Sequence, residues 1–278
     1  MTSNYYNYKI SLVTYQDKNT FEQIEHLVFD LDNTLYPASS KMDAGITSRM
    51  IAITAKQVGV SVEEAAKLRK ERMPIYGTSL GWLMAEHELT DIQGFFDMVH
   101  PESEINELDP DSNLRPFLES LPYPMTVLTN SPTIHANRVL DFFNIRDLFI
   151  FISDIQTNGL KGKPYPNSYL TATFEKGYNL SNSLFFDDHE KYTKGYTALG
   201  GKSILVTDKF LLPGEEGTFN CDGIVKEIVG ENHQNRQNTE INLEQIKAKV
   251  LEKNPELLPY ACITSVYDVP KLLEYINA

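Results

Sequence analysis

Apolar residues in this chain gather into short runs closed by turn residues: Leu27 to Leu31, Met125 to Leu128, Leu148 to Ile152, Leu184 to Phe186 and Ser203 to Val206. Runs this short and this apolar read as strands buried on both faces, and the stretches between them carry apolar residues at helical spacing. Strands alternating with helices predict an α/β protein: a doubly wound parallel sheet with helices on both faces. In such a sheet the ligand binds beyond the carboxyl ends of the strands.

One region breaks the alternation. From Met42 to Asp111 no convincing strand appears, and three helices are predicted instead. Ile46, Met50, Ile53 and Ala55 to Val58 form an apolar stripe, Ser61 with Glu64 has capping-box spacing, and Leu80 to Leu89 reads as a third helix. The expected organisation is a core from 22–41 and 112–208, a helical cap over 42–111, an N-terminal extension 1–21 and an irregular extension 209–260. That last extension holds a helix from Asn242 to Lys253. A final strand at Ala261 to Ser265 and a helix at Val269 to Ile276 return to the core within 261–278. A helical block rooted beside the first strand's loop is placed to act as a lid, with a plain packing role as the alternative.

Length and charge narrow the partners. With 278 residues the chain can bury a large core beside a smaller lobe. Net charge is −13 with no run of Lys or Arg, which excludes nucleic-acid polymer and an anionic membrane surface as expected partners, because both need a basic footprint. A small phosphorylated metabolite remains suitable if the site itself is locally positive. Cys221 and Cys262 stand in unrelated contexts, so neither a disulfide framework nor a cysteine zinc site is expected. Tyr5, Tyr6, Tyr8 and Tyr15 interrupt the N-terminus with no signal-peptide core, and no stretch approaches the roughly 18 apolar residues that cross a bilayer. A soluble, cytoplasmic protein is expected; oligomeric state leaves no mark on the sequence.

The chemistry is concentrated at the strand ends. Asp30-Leu31-Asp32-Asn33-Thr34 follows His26-Leu27-Val28-Phe29 directly. Two carboxylates about 4 Å apart repel by roughly 4 kcal/mol at an effective dielectric near 20. A hard, oxygen-seeking cation such as Mg²⁺ relieves that repulsion. The arrangement suits a carboxylate nucleophile at Asp30 with Asp32 handling protons; the ordinary alternative is an acidic loop in which Asp32 or Asn33 caps a helix. Val127-Leu128-Thr129-Asn130-Ser131 offers a hydroxyl and a turn amide to phosphate oxygens, or is simply a turn. Gly162-Lys163-Pro164 offers a cation at the head of a helix, or is a surface lysine. Leu184-Phe185-Phe186-Asp187-Asp188 brings a second pair of acids.

Taken together, in the order carboxylate pair, hydroxyl, lysine, carboxylate pair, with the helical insertion after the first motif, the chain resembles the haloacid dehalogenase-like (HAD) hydrolase superfamily over Leu27 to Val206. Asp30 to Ser39, Tyr76-Gly77-Thr78-Ser79-Leu80, and Leu108 to Asp111 with Leu114-Arg115 look like its pyrimidine 5′-nucleotidase branch. The resemblance implies a Rossmann-like core and Mg²⁺ as cofactor. Asp30 would be the nucleophile and Asp32 the acid and base. Leu31, Thr129, Asn130 and Lys163 would hold phosphate, with Lys161 a nearby competitor. Asp30, Asp32 through its carbonyl, Asp187 and Asp188 would hold the metal. Relatives carry a small residue after the last acids and Asn or Asp four positions beyond; His189 and Tyr192 stand in that neighbourhood here, and His189 reads as an exposed helix residue rather than a ligand.

The implied activity is hydrolysis of a small phosphate monoester through an aspartyl-phosphate, with a pyrimidine nucleoside 5′-monophosphate as substrate. A sugar-phosphate phosphatase and a phosphotransferase are the alternatives within enzymes, and a phosphate- or Mg²⁺-responsive binding module is the alternative outside them. Such a module would lack this length and the helical insertion. Tyr76, Trp82 and Arg72 are the candidates for reading the substrate from the cap, with Glu86 and His87 nearby; an aromatic at helical spacing is also a usual core residue.

Overall fold

The computed structural model describes residues 12–14, 24–38, 40–207 and 259–277. The tyrosines of the N-terminus, most of the 209–260 extension, its expected helix and Cys221 lie outside the described residues. The strands are β1 (Leu12–Thr14), β2 (His26–Phe29), β3 (Met125–Leu128), β4 (Phe149–Ser153), β5 (Ser183–Asp187), β6 (Lys202–Val206) and β7 (Ala261–Ile263). They form one sheet in the order β1-β7-β6-β5-β2-β3-β4. All pairings are parallel except β1 with β7.

Each predicted strand is present, shifted by a residue or two at the ends. The first ends at Phe29 rather than Leu31, with only the Asp30 N–H still bonded to the neighbouring strand, at Phe186 O. The expected last strand and helix are β7 and the helix at Val269–Asn277. β1, from the N-terminal extension, pairs along β7 and covers what would be an open edge.

Alternation along the strands explains the two helical layers. Leu27, Phe29, Leu184 and Phe186 face one side, where they pack with Leu114 and Leu118 of α5 (Leu114–Glu119), Val139 and Leu140 of α6 (Thr133–Phe142), and Leu272 of the C-terminal helix. Val28 and Phe185 face the other, against Tyr169 and Ala172 of α7 (Pro166–Phe174) and Tyr196 of α8 (Glu190–Ala198). His26 is the polar exception in the central strand: its ring bridges Ser183 at 3.0 Å and Thr126 at 2.8 Å, tying β2 to both neighbours. Burial lowers its pKa to about 4, so it is neutral there.

Between β2 and β3 run α1 (Lys41–Val58), α2 (Val62–Tyr76), α3 (Ser79–Glu86) and α4 (Ile92–Val99), then a 3-10 turn at Glu102–Glu107. Three of the starts are side-chain capped: Ser61 accepts from Glu64 N–H, Thr78 from Gly81 N–H and Asp91 from Gly94 N–H. Where the apolar spacing predicts one helix over Leu80 to Leu89, α3 ends at Glu86, and α4 is a further, unpredicted helix. Asp91 is the cap that marks α4, and Gly94 in its first turn weakens the helical signal. Ile53, Leu80, Trp82, Leu83, Phe95, Phe96 and Val99 of the insertion form a second core, which Ile155 from the loop after β4 joins. No helix among the described residues is long and apolar enough to cross a membrane.

Candidate active site

The chemistry-bearing loops all leave the sheet at its carboxyl edge, and backbone bonds hold them in register there. Asp30 N–H donates to Phe186 O, and Thr129 N–H to Ser153 O. Asp188 N–H donates to Thr34 Oγ1, which ties the first acidic motif to the last across 154 residues of sequence. Between Asp32 and Thr34, Asn33 adopts φ 62°, a left-handed conformation that Asn tolerates better than most residues.

Lys163 sits at the centre of the acids. It is almost fully buried, and its Nζ lies 2.7 Å from Asp30 Oδ1 and 2.5 Å from Asp187 Oδ2. Lys161 is exposed, so the structure separates the two lysines that the sequence left in competition. The placement of Lys163 depends on Asn130, whose side chain accepts from Lys163 N–H at 2.6 Å and donates to Lys163 O at 2.9 Å. Gly162 makes that clamp sterically workable, because a Cβ there would stand 2.0 Å from Asn130 Oδ1. The Asn130 side chain is therefore spent on the lysine, and any contact it makes to a phosphate comes through its backbone N–H.

Electrostatics follow from that packing. Burial works to lower the Lys163 pKa, but the charges of Asp187 and Asp30 outweigh it and hold the ammonium form. Asp30 is pushed up by burial despite Lys163, and Asp187 well up by burial and its acidic neighbours. Asp188 is pushed up to about 7 by burial and by the charge of Asp30. Carboxylate oxygens of Asp30, Asp187 and Asp188 all lie within 4.8 Å of one another. Three acids this close with a single lysine among them fit a divalent cation bound by oxygen, and the donor set is all oxygen, as a hard ion requires. Asp187 has both oxygens engaged, one by Lys163 and one by His189 N–H at 2.7 Å, which leaves Asp30 and Asp188 as the freer donors.

The second aspartate is treated differently. Asp32 Oδ1 accepts from Tyr36 Oη at 2.5 Å and from His135 Nε2 at 2.8 Å, and Oδ2 accepts from Ser131 Oγ at 2.7 Å. Burial works to raise its pKa, but the charge and hydrogen bond of His135, with those from Tyr36 and Ser131, hold it well below the ordinary carboxylate value. Tyr36, Ser131 and His135 were not singled out in the sequence. Tyr36 and Ser131 stand inside the motifs Asp30 to Ser39 and Val127 to Ser131, and His135 stands in none.

The remaining sequence candidates fall as follows. Leu31 is fully buried, and its backbone N–H is aimed at the Asp30 carboxylate. Thr129 is buried at the end of β3, where its hydroxyl accepts from Ser131 N–H. His189 is exposed at the start of α8, and the ring of Tyr192 lies 5.0 Å from Lys163 Nζ. In the insertion, Tyr76, Trp82 and Arg72 converge on Glu86, at 2.6, 2.7 and 3.8 Å. Trp82 is 1% exposed within the second core, so its expected role in reading substrate is corrected to packing: no ring face is left for a ligand. Tyr165 Oη to Tyr76 O and Lys191 Nζ to Met73 O link the end of α2 to the core beside the acids.

The acidic loop after β2, the buried lysine, the acids at the end of β5 and the inserted helical block together have the arrangement of a haloacid dehalogenase-like hydrolase. Residues 24–191 match the family model of that description, and the chain belongs to this family. The yeast protein "Phosphate metabolism protein 8" of Saccharomyces cerevisiae is 25% identical over 225 residues, covering 75% of this chain and 66% of its own length, just under two thirds. An L-2-haloacid dehalogenase from Xanthobacter autotrophicus with chloropropionic acid covalently bound superposes with a TM-score of 0.52 at 18% identity, covering 91% of this chain and 99% of that one. A conserved haloacid dehalogenase-like protein from Agrobacterium tumefaciens gives 0.50 at 14% identity, covering 92% and 100%. At these identities the solved structures establish the shared fold.

Proposed function

We propose that the chain is a Mg²⁺-dependent phosphatase that cleaves small phosphate monoesters through an aspartyl-phosphate on Asp30. The observation that carries this is the pairing of two aspartates in one loop with opposite environments: Asp30 among acids and Lys163, Asp32 among hydrogen-bond donors. Unaided hydrolysis of these esters is so slow that accelerations up to about 10²¹-fold are needed, and fixed cations facing the transferring group are the main means. Lys163 supplies one. Asp30 and Asp188, with the Asp32 carbonyl and Asp187 beside them, would hold the divalent ion, which would add positive charge facing the transferring group.

In the first step an oxygen of Asp30 attacks phosphorus and the ester P–O bond breaks, its electron pair leaving on the alkoxide, which takes a proton from Asp32. In the second, Asp32 removes a proton from water as the water attacks phosphorus, and the bond from phosphorus to Asp30 breaks to release inorganic phosphate. Asp32 is ionised in the ligand-free site; arrival of a phosphate dianion beside it raises its proton affinity, so that it takes from solvent the proton it gives to the alkoxide and recovers one from the attacking water. Thr129 and the amides of Leu31 and Asn130 would meet the phosphate oxygens.

The need for a proton in the first step speaks against dehalogenation, because halide leaves as a stable anion and gives Asp32 no work as an acid. The name of the yeast relative favours phosphate chemistry. For the substrate we favour a pyrimidine nucleoside 5′-monophosphate, on the likeness of Asp30 to Ser39 and Tyr76 to Leu80 to that branch; the helical insertion would act as the cap that selects it. Incubation with an aryl phosphate and Mg²⁺ should give turnover that falls at least about 10⁴-fold in Asp30→Asn, where the nucleophile is gone, and that stops in excess chelator. Turnover unchanged in Asp30→Asn, or undiminished by chelator, would refute the mechanism.

A further inference from the structure

One of the three donors on Asp32, His135, itself meets a buried carboxylate from the insertion. His135 lies on α6 and is fully buried; its Nε2 meets Asp32, and its Nδ1 lies 3.0 Å from Glu104 Oε2, an ion-pair distance out of line for a hydrogen bond. Glu104 is fully buried too, in the 3-10 turn that brings the insertion back to the core. The same Oε2 lies 2.9 Å from His100 Nδ1, and Oε1 lies 3.4 Å from Arg138, whose guanidinium also donates to His100 O at 2.7 Å. The rings of His100 and His135 stand 4.4 Å apart.

A carboxylate buried this completely is costly unless it is paired, so its placement calls for a reason. Both ring nitrogens of His135 face carboxylate oxygens, so the ring is held from both ends, and Arg138 is a cation on Glu104. What the clamp fixes is the direction of His135 Nε2–H, and through it the carboxylate of Asp32. Groups that transfer protons must be held within about 0.5 Å and 10–20° of their working geometry by neighbours that are themselves locked.

We propose that His135, anchored by Glu104, is a positioning residue for Asp32, serving the proton transfer to the leaving oxygen. This rests on the phosphatase reading above. It assigns the turn Glu102–Glu107 a part in catalysis without contact to substrate, and it makes the return segment of the insertion a structural support for the core's acid and base.

The test uses leaving groups. A p-nitrophenolate departs without help, whereas an alkoxide needs a proton, and kcat/KM reports the steps up to formation of the aspartyl-phosphate. An alkyl monophosphate taken from those the wild-type protein hydrolyses is compared with p-nitrophenyl phosphate in His135→Asn, Glu104→Gln and, as the reference, Asp32→Asn. For the alkyl ester kcat/KM should fall about 10²-fold in the two positioning variants, and for the aryl ester by no more than about threefold, with Asp32→Asn showing the same selectivity more strongly. Equal losses on both esters would reduce Glu104 and His135 to a folding role, and unchanged rates in both variants would remove them altogether. Should His135→Asn fail to fold by thermal melting, Glu104→Gln, which keeps shape and removes the charge, decides alone. A wild-type protein inert on both esters would sink the phosphatase reading, whereas an active one with unselective variants sinks only the positioning role.

Discussion

Around Asp30 the protein packs acids against Lys163; around Asp32 it packs donors against one acid. Two residues apart in one loop, the carboxylates are driven in opposite directions, Asp30 up by burial and Asp32 down by His135, Tyr36 and Ser131. Groups of one chemical type can take separate acid, base and nucleophile roles only if their surroundings separate them, and here the surroundings do so within a single turn. The acid-rich side is left short of positive charge and suits a divalent ion. The donor-rich side is complete in itself and needs none.

The largest way to break this contrast is to remove the cation of the first side. Lys163→Met leaves Asp30 and Asp187 buried without their partner, and loss of one member of a buried pair costs about 3–5 kcal/mol. Thermal unfolding should show that loss, together with abolished turnover; a variant as stable as wild type would mean that Lys163 is not what balances these acids. On the other side, Asp32→Asn should lower kcat about 10²–10⁴-fold with KM little changed, because the amide keeps the shape and loses the proton exchange. A near-normal kcat would take Asp32 out of the reaction.

The smallest effect separates the site from the sheet beneath it. His26 titrates at about 4 in the folded protein against 6.5 for a free histidine, so the unfolded chain binds more protons between those values and stability rises with pH across the window. Its contribution, about 3 kcal/mol, is full above pH 6.5 and lost as pH falls to about 4. Asp188, pushed up to about 7, acts in the opposite sense in the ion-free protein, so the comparison must be made by difference. Denaturant titrations of wild type and His26→Gln across this range should differ in slope by the His26 share; parallel curves would show that His26 is charged when folded.

Much of this contrast was legible in the chain and its opposite half was not. The acids, Lys163 and Thr129 stand at strand ends marked by apolar runs, and each belongs to a short local pattern. Asn130 was legible as a residue, but its task was not: its side chain clamps Lys163, a contact between loops 33 residues apart. Trp82 shows the limit on the other side, because helical spacing marks an aromatic as facing inward or toward a ligand without saying which.

The sequence by itself marked the parallel strands, the helical insertion and the candidate side chains at the strand ends, since period, turn residues and motif order are properties of neighbouring positions. Only the tertiary structure decided which partner each side chain keeps. His135 reaches Asp32 across 103 residues, and Glu104 reaches His135 from a turn of another lobe. Such contacts carry no local signature: they exist because burial in the folded chain forces each ionisable group to find compensation wherever the packing happens to bring it.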